Sequence, residues 1–112
     1  MPKRFQRQRT RGWRTPEGGV NCTRPGRLGN PWVHDDPAVA AAAYESMLHG
    51  DLSHVPGLRL AKGQLPVNKE RADEIRILVE GLRGKDCGCF CALDAPCHVD
   101  GIIRFANRRH GG

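Results

Sequence analysis

The cysteine-rich segment at residues 85–98 is the feature that most restricts the fold and the chemistry of this chain. Its sequence, KDCGCFCALDAPCH, contains four of the five cysteines and ends on a histidine. If residues 85–91 are extended, the two-residue repeat of a strand puts Cys87, Cys89 and Cys91 on one face. The chain then turns through residues 92–96 and brings Cys97 and His98 to the start of a predicted helix.

The size and composition of the chain predict one small domain with a thin core. It has 112 residues, of which 38% are hydrophobic and 5% aromatic, so a bound metal would usefully supplement its packing. No apolar run approaches the ~18 residues that cross a membrane. Residues 1–7 lack the apolar core of a secretory signal. We therefore expect a reducing cytoplasmic setting, where clustered cysteines are more often ligands or catalysts than disulfides.

Positive charge is concentrated at the amino terminus. Residues 1–30 carry eight basic residues and one acidic residue, a net charge of +7 in a chain whose total is +6. This pattern is typical of proteins that bind a polyanion, most commonly nucleic acid, although a basic tail that aids solubility is an alternative. We predict a basic, partly disordered arm at residues 1–14 and a single domain at residues 15–112.

The arm supplies the first set of candidate binding residues. Its candidate phosphate contacts are Arg7, Arg9, Arg11 and Arg14. Trp13 lies among them, and it either stacks on a base or covers one edge of the core. Because the chain has few aromatic residues, the core position is favoured.

A glycine- and proline-rich loop at residues 24–32, RPGRLGNPW, is the second candidate binding element. Its glycines allow the backbone to approach a ligand closely. Arg24, Arg27 and Asn30 are its candidate anion-binding residues, for a phosphate or a carboxylate. The ending of a P-loop is missing, and a structural loop supported by Trp32 is an equally good interpretation.

Helix signals occur in three places. Asp36 is a good N-cap for a helix over residues 38–49, and Asn68 is a good N-cap for a helix over residues 69–83. Both segments are followed by glycine, which commonly ends helices. The second helix has an apolar stripe formed by Ala72, Ile75, Val79 and Leu82. A third helix is predicted over about residues 96–107.

The remaining pattern completes the predicted fold. A short strand is expected at residues 18–23, with Val20 and Cys22 facing inward, and residues 57–61 form either a short strand or a loop. Together these elements predict a small single α/β domain. Its short central sheet contains the cysteine strand, at about residues 85–91, and about three helices flank that sheet.

Three sequence motifs in this order resemble a known family. They are RTRGWRTPE at residues 9–17, RPGRLGNPW at residues 24–32, and LRGKDCGCFC at residues 82–91 followed by Pro96-Cys-His98. The chain is similar to the small bacterial and bacteriophage family catalogued as domain of unknown function 4326. The resemblance implies a compact α/β fold and a phage or actinobacterial type of origin, hence a host bacterial cytoplasm, but no established activity.

This chain departs from the family pattern at three positions. The family typically has tryptophan where this chain has Phe90, and an apolar residue where it has Cys87. The second difference makes Cys87 the least certain functional cysteine. Where the family usually has a larger apolar residue, this chain has Gly101. A glycine at this position would weaken the last helix.

A metal site is the first hypothesis for the cysteines. Zn²⁺ takes four soft or borderline ligands, and the candidates are Cys89, Cys91 and Cys97 with His98, Cys22 or Cys87. Neighbouring side chains on a helix diverge by about 100°, so Cys97 and His98 are poorly placed to bind one ion. We therefore favour Cys22 or Cys87 as the fourth ligand, and we expect the loop at residues 24–32 to lie against the three core cysteines.

A catalytic pocket is the second hypothesis. Cys97 would lie in the first turn of a helix, where a thiol pKa falls. His98 would act as acid or base, oriented by Asp94 or Asp100, and the loop arginines would bind an anionic substrate. Some of the cysteines, Cys22 and Cys87 above all, are alternatively small buried apolar residues.

The favoured function is nucleic-acid or nucleotide binding with a zinc-type organising site. The first alternative is a small enzyme that acts on a nucleotide or a nucleic-acid base through Cys97 and His98. The second is an interaction protein that binds or inhibits a host factor.

Overall fold

The computed structural model describes residues 2–24 and 26–108, and this part of the chain forms a mixed α/β domain. Its elements in chain order are β1 (Arg4–Gln6), β2 (Val20–Asn21), β3 (Trp32–Val33), α1 (Pro37–Leu48), β4 (Arg59–Leu60), α2 (Lys69–Glu80), β5 (Cys87–Cys89) and α3 (His98–Ala106). The predicted fold class, three helices around a short sheet, is confirmed.

The main sheet has three parallel strands in the order β1-β5-β2. The cysteine strand is therefore central, as predicted, with Phe5 paired to Gly88 on one side and Val20 paired to Cys87 on the other. It covers Cys87–Cys89 rather than residues 85–91, because the chain bends at Phe90. All three strands point the same way, so their carboxyl ends lie at one edge of the sheet.

Within the predicted arm at residues 1–14, residues 4–6 form β1. The Phe5 ring packs so closely on the sheet that a Cβ atom at Gly88 would overlap it. The Lys3 amide donates to Asp86 Oδ1 at 2.8 Å, and the Arg4 side chain is only 8% exposed. Packing of Phe5 on the central strand thus outweighs the basic, polar character of the segment.

Side-chain caps determine where the first two helices begin. Asp36 Oδ1 accepts from the Ala38 amide at 3.0 Å and Asn68 Oδ1 accepts from the Arg71 amide at 2.8 Å, as predicted. The second helix ends at Glu80, earlier than expected, because the chain turns over residues 81–84. Its predicted apolar stripe is buried nonetheless. The third helix begins at His98 rather than at residue 96, because Cys97 is extended.

Helices α1 and α3 pack closely at Gly101. A Cβ atom there would lie 3.1 Å from Glu45 Cβ. The Arg104 guanidinium donates to both Glu45 carboxylate oxygens, at 2.9 and 2.7 Å. The glycine that the family resemblance marks as unusual therefore allows this close approach between the helices.

A second, two-stranded sheet pairs β3 with β4 antiparallel, with Trp32 opposite Leu60. Of the two alternatives for residues 57–61, a strand or a loop, the structure has a short strand, β4. Strand β3 was not predicted. None of the helices in the described part of the chain combines the length and apolar character needed to cross a bilayer.

Candidate metal centre

Three thiols meet at the carboxyl edge of the parallel sheet. Cys89 ends β5, Cys91 lies in the bend that follows, and Cys97 is the N-cap of α3. Their sulfur atoms all lie within 4.8 Å of one another, and the Sγ atoms of Cys89 and Cys97 are 2.8 Å apart. Cys89 and Cys97 are buried, while Cys91 is exposed. We call this group the thiol cluster.

The dimensions of the thiol cluster suit a metal ion. A Zn–S bond of about 2.3 Å places two thiolates on a tetrahedral ion about 3.8 Å apart. The three sulfur atoms lie within 4.8 Å of one another, although those of Cys89 and Cys97, 2.8 Å apart, would have to separate by about 1 Å to bind one ion. Thiolate sulfur is a strong ligand for soft and borderline metals. Within the described residues, these three cysteines could therefore hold a metal ion.

Hydrogen bonds favour ionisation of one member of the thiol cluster. The Cys89 thiol, the His98 ring and the Val99 amide lie against Cys97 Sγ, and together they hold the pKa of Cys97 well below its usual range. The same hydrogen bond with Cys97, together with burial, raises the pKa of Cys89. These opposite pKa directions favour Cys97 over Cys89 as the thiolate of this pair.

Arg4 holds the loop that connects Cys91 to Cys97. Its Nη2 atom donates to the carbonyl oxygens of Ala92, Leu93 and Ala95 at 3.2, 2.5 and 3.1 Å. Its Nε atom lies 3.4 Å from Asp100 Oδ1 on α3, and although burial lowers the pKa of the guanidinium, the neighbouring Cys97 and Asp100 raise it. Sequence reasoning counted Arg4 only as part of the basic segment, since nothing local in the sequence distinguishes it from the arginines that follow.

His98 is fixed beside the thiol cluster. Its Nε2 atom lies 2.9 Å from the Cys22 carbonyl oxygen and 3.0 Å from that of Leu28. Both partners are acceptors, so Nε2 carries a hydrogen and donates it. Nδ1 is then directed to Cys97 Sγ, 3.8 Å away. Two carboxylates were proposed to orient His98. Asp100 pairs with Arg4 instead, and Asp94 is exposed.

Cys22 and Cys87, the other proposed ligands, form a separate buried pair. Their side chains are 0% and 1% exposed and belong to the apolar core. Cys22 Sγ donates to Val20 O at 3.8 Å and Cys87 Sγ donates to Lys85 O at 3.6 Å. The neighbouring Cys87 thiol and burial raise the pKa of Cys22 well above its usual range. The structure does not bring either residue into the thiol cluster.

The basic residues of the arm divide into two sets. Arg7 is held in place, because its amide donates to the Cys89 carbonyl oxygen at 2.8 Å and its Nη1 donates to Thr23 Oγ1 at 2.7 Å. The guanidinium carbons of Arg7 and Arg9 lie 4.7 and 4.0 Å from the centre of the Phe90 ring. Arg11 and Arg14 are exposed and Trp13 is half-buried. Arg7 and Arg9 thus stack on the ring of Phe90, the residue between Cys89 and Cys91.

A cleft of about 220 Å³ connects the loop at residues 24–32 with the thiol cluster. It is lined by residues that include Arg24, Asn30, Trp32, Cys91, Cys97 and His98. The loop and two of the three core cysteines line the same cleft, which agrees with the expectation that the loop lies against them.

The three anion-binding candidates of the loop are placed differently. Arg24 is exposed at the cleft. Asn30 is buried, and both ends of its amide are used, Nδ2 donating to Ala40 O at 3.1 Å and Oδ1 accepting from the Trp32 amide at 3.0 Å. Arg27 lines a different groove, together with Arg71. Only Arg24 is both charged and free to meet a ligand at the thiol cluster.

Comparison with known proteins gives one match. The model of the family described as Domain of unknown function (DUF4326) matches residues 5–108, a span that contains β1, the loop at residues 24–32 and the thiol cluster. No curated protein and no solved structure matches the chain. Since the match covers nearly the whole sequence, the chain belongs to the DUF4326 family.

Proposed function

We propose that this protein binds the phosphate groups of nucleic acid or nucleotides at the carboxyl edge of its parallel sheet, and that a zinc ion in the thiol cluster holds this edge in shape. The observation that carries the proposal is that Arg9, Arg24 and the three thiols come together at one edge. Ligands of parallel α/β sheets commonly bind outside the carboxyl ends of the strands.

The choice of zinc follows from the ligands and from the small core. Three thiolates suit a borderline ion better than a hard ion such as Mg²⁺, which prefers oxygen. The ion would join the end of β5 to the start of α3 in a chain with only 38% hydrophobic residues. Structural zinc contributes directly to the free energy of folding in such small domains.

The choice of phosphate follows from the charge. Arg9, Arg11, Arg14 and Arg24 are exposed, and within residues 2–24 and 26–108 none of them is in an ion pair with a carboxylate. Arginine binds phosphate through paired N–H donors. A net charge of +7 in residues 1–30 supplies the sequence-independent attraction that dominates non-specific binding to nucleic acid.

Phe90 links the two parts of the proposal. It lies between two cysteines of the thiol cluster, and Arg9 stacks on its ring. An ion bound by Cys89 and Cys91 would fix the backbone on both sides of Phe90, and hence the surface that orients Arg9. Polyanion affinity should therefore depend on the metal.

The test combines metal analysis with binding measurements. Protein purified without chelator should contain about one zinc per chain. Fluorescence anisotropy with short single- and double-stranded oligonucleotides should show affinity falling steeply with salt, by a slope of about −0.7 to −0.9 per phosphate contacted. Removal of the metal should weaken binding.

A matched pair of triple variants separates a binding site from general charge. Arg9→Gln, Arg11→Gln and Arg14→Gln together remove three charges from the arm. Lys62→Gln, Lys69→Gln and Lys85→Gln together remove three charges from exposed lysines elsewhere. The arm variant should lose affinity and lower the salt slope far more than the lysine variant. Equal losses, or binding that salt does not affect, would contradict the proposal.

A small enzyme is the second candidate, favoured by the surroundings of Cys97. Its lowered thiol pKa, His98 Nδ1 at 3.8 Å and Arg24 across the same cleft resemble an activated cysteine with an anion-binding arginine. A cysteine that ligates zinc is not free to act in this way. Metal-free protein as purified, with turnover of a nucleotide that Cys97→Ala abolishes, would favour the enzyme.

A further inference from the structure

We infer that the metal ion in the thiol cluster keeps one coordination position open toward the cleft, and that this position takes a phosphate oxygen of a small ligand. The inference rests on the proposed metal centre and makes it a ligand-binding centre rather than a purely structural one. Structural zinc sites have four protein ligands, whereas sites with three protein ligands leave the fourth position to water or substrate.

The described residues supply three ligands at this place. The group of donor atoms close enough to share an ion contains only Cys89, Cys91 and Cys97 within residues 2–24 and 26–108. Cys22 and Cys87 are paired with each other in the core. His98 Nδ1 lies 3.8 Å from Cys97 Sγ but does not come within 4.8 Å of all three sulfur atoms, and Nε2 is already bonded to two carbonyl oxygens. His98 therefore acts on the ligand Cys97 from outside.

The free side of the ion faces the cleft. Cys89 belongs to the central strand and is 3% exposed, so it approaches from inside the protein. Cys91 and Cys97 line the cleft, and Cys91 is exposed to solvent. A volume of about 220 Å³ has room for a phosphate group and part of the molecule that carries it. A ligand entering there reaches the side of the ion that the three sulfur atoms leave uncovered.

The charges around the cleft select an anion. A divalent ion with three thiolates has one net negative charge, and the Arg4 guanidinium beside it, whose side chain is 8% exposed, is paired with Asp100. Arg24 on the other side of the cleft remains available to the ligand. The amino terminus of α3, which begins at His98, also favours an anion. Phosphate, free or carried by a nucleotide, has the oxygen donor and the charge that this arrangement needs.

Cobalt substitution tests the inference, because the visible d–d bands of Co²⁺ report its ligands directly. The zinc in the full chain is exchanged for Co²⁺, and the spectrum is recorded during titration with inorganic phosphate and, separately, with a nucleoside monophosphate. We expect saturable spectral changes with both. Tighter binding of the nucleotide would identify it as the natural source of the phosphate, and equal binding would identify free phosphate.

Two exposed arginines provide the matched variants. Arg24→Gln should weaken the phosphate response about tenfold, the value of one charge-assisted contact. Arg83→Gln, which removes the same charge from an exposed arginine outside the cleft lining, should leave it unchanged. A Co²⁺ spectrum that responds to neither phosphate nor cyanide would overturn the inference, since the ion would then have four protein ligands. Failure of the chain to bind Co²⁺ or Zn²⁺ at all would instead overturn the proposed metal centre.

Discussion

Cys87 and Cys89 lie two residues apart on the same strand, yet they belong to two groups of thiols with opposite surroundings. Cys87 meets Cys22 inside the apolar core, where both side chains are almost fully buried. Cys89 meets Cys97 at the carboxyl edge, beside Arg4, His98 and a solvent-filled cleft.

The difference shows that the surroundings of a cysteine decide whether its thiol ionises or packs as an apolar group. The residue type and the strand are the same, so the neighbours decide the chemistry. At the carboxyl edge, the Cys89 thiol, the His98 ring and the Val99 amide lower the pKa of Cys97 and so favour its thiolate, the form that binds metal. In the core, the neighbouring Cys87 thiol and burial raise the pKa of Cys22, whereas Cys22 lowers the pKa of Cys87. The neutral Cys22 thiol packs there as a small hydrophobic group. Two of the cysteines thus pack in the core, while three others lie close enough together to hold a metal ion.

The largest expected effect is loss of the metal on removing one member of the thiol cluster. Cys97→Ser should lower zinc affinity by more than about 100-fold, since even groups that only support a ligand are worth 10–100-fold. Cys22→Ala is the matched control and should retain about one zinc per chain. Competition with a chromophoric chelator measures both. Equal metal loss in the two variants would show that Cys22 belongs to the same metal site as Cys97.

The second prediction concerns stability at the buried pair. Cys22→Ala should cost about 1 kcal/mol of unfolding free energy through lost burial. Cys22→Ser should cost more, about 1–3 kcal/mol, because its hydroxyl would be buried without a good partner. Urea unfolding of the zinc-loaded protein compares them. A serine variant as stable as the alanine variant would show that the pair is not in an apolar site.

The third prediction is that the two groups respond to pH in opposite directions. Metal affinity should fall as the pH is lowered, because protons compete with the ion for the thiolates of the cluster. Cys22 has a raised pKa in the folded protein, so above about pH 8.5 the unfolded chain releases a proton that the folded chain keeps. Stability should then fall with rising pH, by about 1.4 kcal/mol per pH unit for this group.

A comparison of unfolding free energies at pH 8 and pH 10 isolates the contribution of Cys22. The wild-type chain should lose more stability over this range than Cys22→Ala. An identical loss in both would mean that the Cys22 thiol ionises normally in the folded state.

The smallest expected effect concerns the residue between Cys89 and Cys91. Phe90→Leu removes the ring on which Arg9 stacks and should weaken oligonucleotide binding about two- to fivefold, the value of one exposed cation–π contact. Phe90→Trp keeps an aromatic face and should bind like the wild type. Both should retain zinc. Loss of zinc in Phe90→Leu would instead make the ring part of the metal site.

The sequence predicted the parts of the fold that depend on local signals. The caps Asp36 and Asn68 placed the starts of two helices, because an N-cap acts within its own turn. The apolar stripe of α2 identified its buried face, and strand alternation placed Cys87 and Cys89 on the same face. Proximity along the chain, with a turn between them, was enough to group Cys89, Cys91 and Cys97.

The parts that were missed depend on pairing between distant segments. Nothing local in the three residues of β1 indicates a strand, whose partner lies near the other end of the chain. The order of the strands, which brings Cys22 to Cys87, is also absent from local sequence patterns. The role of Arg4 follows from those long-range placements. Local signals therefore located the site, but they could not assign its supporting residues.

The placement of β5 between β1 and β2 also has a consequence for how the protein folds. The Lys3–Asp86 contact closes a loop of 83 residues, and the sheet cannot assemble until β5 has left the ribosome. The thiol cluster, by contrast, comes from one short segment, so closing it costs much less chain entropy. We expect metal capture to precede docking of β1. During synthesis β1 would then remain unpaired until β5, with its metal bound, has been synthesised and can pair with it.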